Sequence, residues 1–213
     1  DENMSLIRIK LNPAISPAAN AQKYYKDYQK AKNAEHILTE QIEKGRSELE
    51  YIDSVLDTVS RAESERELAQ IREELTEQGY LRKQKGKQRP QAALPPLEFT
   101  SSDGFKILVG RNNTQNDKLT LKIANKNDMW LHTKDIHGSH TVVFAEGREI
   151  SDTAILEAAQ LAAYYSKARE SSQVPVDYTL VRYISKPSGA RPGMVIYVNN
   201  KTVYVTPKAN ISK

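Results

Sequence analysis

Apolar residues in the first third of the chain recur at alternating spacings of three and four. The series runs 21, 24, 28, 31, 35, 38, 42, 45, 49, 52, 56 and 59, and ten of those twelve positions are apolar. Tyr28, Leu38, Ile42, Leu49, Ile52 and Leu56 are among them, while Glu35 and Gly45 interrupt the series. This is the heptad period of a coiled-coil seam. Ser16-Pro17 supplies a hydroxyl cap and a first-turn proline, so the pattern predicts a helix of roughly 60 Å starting there. Ser60 with Glu63 reads as a capping box that opens a second helix, with Leu68, Ile71 and Leu75 on its apolar face and Gly79 as its stop. That second helix is too short to cover residues 21–45 by folding back. The seam therefore predicts a partner, either upstream sequence or a second copy of the chain in a homodimer. The alternative is a helix that breaks near Gly45 and packs on the remainder. Ahead of it, Ile7, Ile9 and Leu11 alternate with Arg8 and Lys10 at strand period. Residues 1–15 are expected to be the end of an upstream strand segment in a fragment of a longer protein, with no secretory signal.

The period changes after residue 81. Residues 82–97 open with RKQKGKQR and continue through PQAALPP, which reads as a basic, Pro-rich linker between a helical arm (16–81) and a globular part (98–213). The basic run is either simply solvated or a phosphate contact. Beyond it, Phe105–Val109, Met129–Thr133, Thr141–Phe144 and Tyr178–Ile184 read as strands. Thr114–Ala124 reads as a short helix and Ser151–Lys167 as a longer one capped at Ser151. Met194–Val198 and Thr202–Val205 flank Asn199-Asn200-Lys201, a hairpin turn signal. The expected class is α+β: a long helical arm, then a small domain of mixed or antiparallel sheet with packed helices.

Composition narrows the chemistry. The 213 residues carry 31 Lys+Arg against 27 Asp+Glu, and no cysteine. A disulfide scaffold, a thiolate zinc site and a cysteine nucleophile are excluded. No apolar run is long enough to cross a membrane as a helix. Residues 1–89 balance 16 cations against 16 acids, so the whole net charge of +4 sits in residues 90–213. That asymmetry is a mild pointer to a polyanionic partner. No nucleotide-type phosphate loop, nucleophile elbow or paired-carboxylate signature is present.

Three of the four histidines, His132, His137 and His140, fall in DMWLHTKDIHGSH with Asp128 and the single tryptophan, Trp130. On a strand Asp128, Trp130 and His132 share a face. Three readings stand side by side: a metal site from Asp128, His132, His137 and His140, although the spacing fits no familiar pattern; a structural cluster in which Asp128 accepts a hydrogen bond from His132; and a nucleic-acid surface in which Trp130 or a histidine stacks on a base. A second candidate is Lys186-Pro187-Ser188-Gly189-Ala190-Arg191-Pro192-Gly193, which is either a phosphate cradle with two cations or an ordinary loop. Arg111, Lys134, Arg148, Arg182 and Lys201 are the further cations that could join one face.

DMWLH…GSH, ISDTAILEAAQLAAYYSKAR, VDYTLVRYISKPSGARPG and, upstream, NPAISPAANAQKYYKDYQKAKNA together resemble the NFACT family, whose bacterial branch is the RqcH or fibronectin-binding protein A type and whose eukaryotic branch includes NEMF. The resemblance covers nearly the whole chain, with residues up to 81 like the second arm of the middle coiled coil and residues from about 90 like the NFACT-R domain. Its most specific motifs fall on Asp128, Trp130, His132, Ser139 and His140; many relatives have proline where this chain has His137. The resemblance implies a cytoplasmic ribosome-quality-control factor that binds stalled large ribosomal subunits and tRNA and supports alanine tailing of nascent chains. Read from the residues themselves, the expected nucleic-acid contacts are Trp130, His132, Lys134, His140, Arg182, Lys186 and Arg191, with Asp128, Gly138 and Ser139 structural. No cofactor, metal or intrinsic catalysis is expected of the fragment. The alternative is a cell-surface fibronectin-binding adhesin fragment.

Overall fold

The structure is a computed structural model that describes residues 7–83 and 93–209. From residue 84 to the end of the expected basic run, the linker lies outside the described residues. The chain divides into two compact units between Leu49 and Glu50.

Residues 7–49 contain the first part of α1 (Pro17–Arg61), which runs through Gly45 without a break. Ser16 Oγ accepts the Ala19 amide at 3.2 Å, the expected cap. The expected strand at residues 7–11 is absent; this segment has no regular structure. Among the described residues no strand pairs with it, and its end is tied to the helix, with the Lys10 carbonyl accepting from the Tyr24 hydroxyl. Buried Asn20 accepts the Asn12 amide at 2.8 Å and donates to the Asn12 carbonyl at 3.0 Å. Tyr24, Tyr28, Leu38, Ile42 and Leu49 of the seam are all exposed.

Residues 50–209 hold the end of α1, α2 (Glu65–Glu77) and the sheet domain. Tyr51, Val55 and Ile71 form a small core, with Ile52, Leu75 and Tyr80 packed around it. The buried positions Tyr51, Val55 and Thr58 are one residue out of phase with the Ile52–Leu56–Val59 series, and Leu56 is exposed. The cap of α2 also lies later than the sequence suggested. Ser64 Oγ accepts the Glu67 amide and Glu67 Oε2 accepts the Glu63 amide, whereas Ser60 Oγ donates back to the Leu56 carbonyl inside α1. Gly79, at φ 84°, ends α2 in the left-handed conformation that favours glycine.

The domain's six-stranded sheet runs β1 (Leu97–Thr100), β2 (Lys106–Val109), β4 (Thr141–Val143), β3 (Met129–Thr133), β5 (Val174–Leu180), β8 (Lys201–Val205), and every neighbouring pair is antiparallel. Alternation along each strand sends residues to opposite faces. On one face Phe99, Ile107, Val109, Leu131, Val143, Val174 and Val176 pack under α4 (Asp152–Tyr164), whose Ala154, Ala158 and Ala162 allow close approach. On the other, Leu108, Trp130 and Val142 lie under Leu119 of a π-helical turn (Leu119–Ile123), which continues α3 (Asn113–Lys118). Partly buried Val181, Ile184, Val195 and Tyr197 complete that layer.

The expected C-terminal hairpin does not form. Asn199 turns the chain at φ 55°, but the strands on its two sides pair elsewhere: β7 (Ile196–Tyr197) with β6 (Ile184–Ser185), and β8 with β5. β5 begins at Val174, before the expected Tyr178, because Pro175 at its second position still offers its carbonyl to the Lys134 amide at 2.9 Å.

Polar contacts tie the helical end to this domain. Glu74 is buried and accepts from the Tyr51 phenol at 2.9 Å and from both the amide and the hydroxyl of Thr114 at 3.0 Å. Burial and the Glu74 carboxylate push the Tyr51 phenol up, so it remains a donor. Arg111 pairs with Glu67 at 2.5 Å, Asn113 Nδ2 donates to Ser54 Oγ at 2.9 Å, and Arg61, oriented by Asp57 within α1, donates to Ser139 Oγ at 3.3 Å. Glu74→Ala leaves the buried Tyr51 phenol without its acceptor and is expected to lower the unfolding free energy by about 1–3 kcal/mol. Urea denaturation checks this; an unchanged midpoint would contradict it.

Candidate functional site

The Asp128–His140 stretch forms β3, the turn after it and the start of β4. Trp130 is 1% exposed. His132 stacks on it at 5.7 Å between ring centroids with 9° between planes, Tyr197 lies at 4.8 Å, and His140 meets its edge at 5.2 Å. His140 is 2% exposed, with both ring nitrogens engaged: Nδ1 with Thr120 Oγ1 at 2.7 Å and Nε2 with the Gly193 carbonyl at 3.2 Å. The carbonyl can only accept, so Nε2 carries the proton and Nδ1 accepts from the threonine. His132 is half-buried, and its Nε2 faces the Gly138 carbonyl at 3.3 Å. Trp130 and His140 therefore present no ring face on which a base could stack. Among the described residues, no group of three or more His, Cys, Asp or Glu side chains is placed to hold a metal ion.

Asp128 does not bond to His132, as the structural reading had it. Its two carboxylate oxygens accept backbone amides, Asn125 at 2.7 Å and Ala145 at 2.9 Å. The carboxylate closes the turn ahead of β3 and anchors the chain leaving β4. Gly138 is a close-approach position: a Cβ there would sit 2.8 Å from Thr133 Oγ1 and 2.9 Å from Ser166 Cβ. Ser139 is buried, and its Oγ accepts Arg61 Nη1 at 3.3 Å.

The 186–193 loop is not an open cradle. Lys186 Nζ is taken by Asp117 and by the Arg191 carbonyl at 3.0 Å, and the Gly193 amide is taken by Asp117 Oδ1 at 3.0 Å. Arg191 is half-buried, donates to Gln78 Oε1 at 3.1 Å and lies over the stacked Tyr51 and Tyr80 rings. Both cations are engaged in holding the loop to α2 and α3. Lys134 and Arg182 are exposed.

Residues 1–93 match the NFACT N-terminal and middle domains, and residues 96–199 match the NFACT protein RNA binding domain. The chain belongs to the NFACT family. It is 48% identical over 213 residues to the Rqc2 homolog RqcH of Bacillus subtilis, covering 99% of this chain and 37% of that protein. The RqcH of Streptococcus suis is 45% identical over 202 residues, covering 94% of this chain and 36% of the relative. The chain thus spans little more than a third of these relatives' length. A solved structure, the C-terminal part of the fibronectin/fibrinogen-binding protein from Streptococcus suis, superposes with a TM-score of 0.84 at 44% identity, covering 90% of this chain and 77% of that one.

On this NFACT-R domain the family motif sits mostly inside. Sequence reasoning missed two groups. The polar clamp of Glu74 and Thr114 joins residues forty positions apart, and nothing local announces it. Arg182 and Lys201 were legible singly as candidate cations, but their meeting with Lys126 and Tyr183 was not, because the three segments are separate in the chain.

Burial holds both His132 and His140 below the ordinary imidazole value, His140 well below it. An unfolded chain takes up these protons near pH 6.5 while the folded one resists. Below that pH the unfolded state binds more protons, so stability rises with pH through the window between the depressed folded values and about 6.5. The urea midpoint is expected to fall between pH 7.5 and 5.5, and to fall less in His140→Gln. A midpoint equal at both pH values would contradict this.

Proposed function

We propose that this chain is the RNA-binding, ribosome-directed part of a ribosome-associated quality-control factor, working in the cytoplasm. The match of residues 96–199 to the NFACT RNA binding domain carries the reading, and the identity to RqcH across nearly the whole chain supports it. The proposal includes binding to stalled large subunits and to tRNA, in support of alanine tailing. It assigns no catalytic step to these residues, in keeping with a His140 whose ring nitrogens are both held within the fold. Exposed Tyr28, Leu38 and Ile42 on α1 also make self-association of the isolated chain an expectation. Sedimentation equilibrium tests it, and a strict monomer at high concentration would contradict it.

RNA binding follows from charge as much as from shape. Contacts to phosphate release counterions, so affinity is expected to fall steeply with salt. Titrating the chain with tRNA at two salt concentrations is expected to give saturable binding that weakens at the higher one. No binding at low salt would contradict the reading. Fibronectin binding, suggested by the name of the Streptococcus suis protein alone, would be favoured instead by saturable binding to fibronectin that survives physiological salt.

A further inference from the structure

Among the described residues, four cations of the sheet domain sit in ion pairs. Lys106 pairs with Glu98, Arg111 with Glu67, Arg148 with Glu146 and Lys186 with Asp117. Several other cations among the described residues are in no ion pair, and three of these, Lys126, Arg182 and Lys201, are exposed on segments that lie together. They come from three segments, 125–127, 181–184 and 198–201, that meet at one end of the sheet. The Arg182 amide donates to the Lys126 carbonyl at 3.2 Å, and its guanidinium reaches the same carbonyl at 3.3 Å and Asn127 Oδ1. The Val198 amide donates to the Tyr183 carbonyl at 3.2 Å, and Thr179 Oγ1 holds the Val198 carbonyl at 3.0 Å. The three segments contain four asparagines and no acidic residue. Lys126, Arg182, Tyr183 and Lys201 are all exposed.

The buried Asp128 carboxylate builds this surface. It accepts the Asn125 amide, the Asp128 amide returns a bond to the Asn125 carbonyl at 3.0 Å, and the Asp128 carbonyl accepts the Val181 amide at 3.0 Å. The turn bearing Lys126 and the segment bearing Arg182 are thus fixed against each other by the first residue of the family motif. Asp128 is a positioning residue here.

We propose that this end of the sheet is a contact surface for single-stranded RNA. Lys126, Arg182 and Lys201 meet phosphates, and the Arg182 guanidinium keeps donors beyond the two bonds that orient it. Tyr183 offers a ring for an unpaired base, and the asparagine amides offer donors and acceptors to base edges. The inference rests on the RNA-binding reading and gives that reading a place on the molecule.

The test titrates the whole chain with labelled oligouridine and with duplex RNA at two salt concentrations. Lys126→Gln/Arg182→Gln/Lys201→Gln is compared with Arg66→Gln/Arg72→Gln/Lys167→Gln, which removes exposed cations elsewhere. The first variant is expected to lose at least tenfold in affinity for the single strand and to reduce the salt slope by about two, while the second stays within twofold. Tyr183→Ala is expected to weaken binding about tenfold at either salt. If the triple variant unfolds, Lys126→Gln/Lys201→Gln, which breaks no observed side-chain bond, takes its place. Single-strand binding retained by the patch variant, equal loss in the control, or preference for the duplex would overturn the inference while leaving RNA binding standing. A wild-type chain that binds neither RNA would overturn the RNA-binding reading itself.

Discussion

Strand β3 is buried on both faces, and the rest of the domain is arranged around that constraint. Leu131 faces the α4 core and Trp130 faces the layer of Leu119, Val181 and Tyr197. A strand covered twice cannot present its side chains to a ligand along its length. What it can do is fix the loops at its ends. The turn before β3 is closed by Asp128, and the chain after it is closed by Gly138, Ser139 and His140. The most distinctive residues of the family motif therefore act through the backbone they hold. A fully buried indole and an imidazole bonded at both nitrogens contribute packing and a single tautomer.

The same logic accounts for the cations. An arginine beside a carboxylate in a partly buried junction fixes the junction; it has little left for a phosphate. Arg111 is of this kind and joins α2 to the sheet domain, Arg191 joins the 186–193 loop to Gln78 at the end of α2, and Lys186 ties that loop to Asp117 of α3. Lys126, Arg182 and Lys201 are exposed beside asparagines and make no ion pair among the described residues, which leaves their charge to a polyanion. The net charge of the second half is small, so its distribution, and not its size, carries the functional reading.

Features encoded within a few residues were legible in the sequence. The Ser16-Pro17 start, the Gly79 stop and the Ser151 cap appear where the pattern put them, and α1 runs unbroken along the long period although its buried face near residues 51–58 is one residue out of phase. Those decided by distant partners were not. Ser60 and Ser64 carry the same spacing to a glutamate, and the choice between them depends on how far α1 continues. Asn199 turns the chain as expected, but the partners of its flanking strands lie on β5 and β6. Period-two alternation put Trp130 and His132 on one face, yet it could not give depth, because depth comes from the π-helical turn and β7 packed above them. At the sheet's end Arg182 and Lys201 could be named as cations, but their meeting with Lys126 and Tyr183 could not, because the three segments are separate in sequence.

Amide hydrogen exchange of the chain with and without single-stranded RNA tests the central claim most directly, because it reads contact along the backbone without altering any residue. The account predicts slowed exchange confined to segments 125–127, 181–184 and 198–201, with β3 and the 186–193 loop unchanged. Protection of the 186–193 loop or of the turn around Lys134, with none at those three segments, would contradict it.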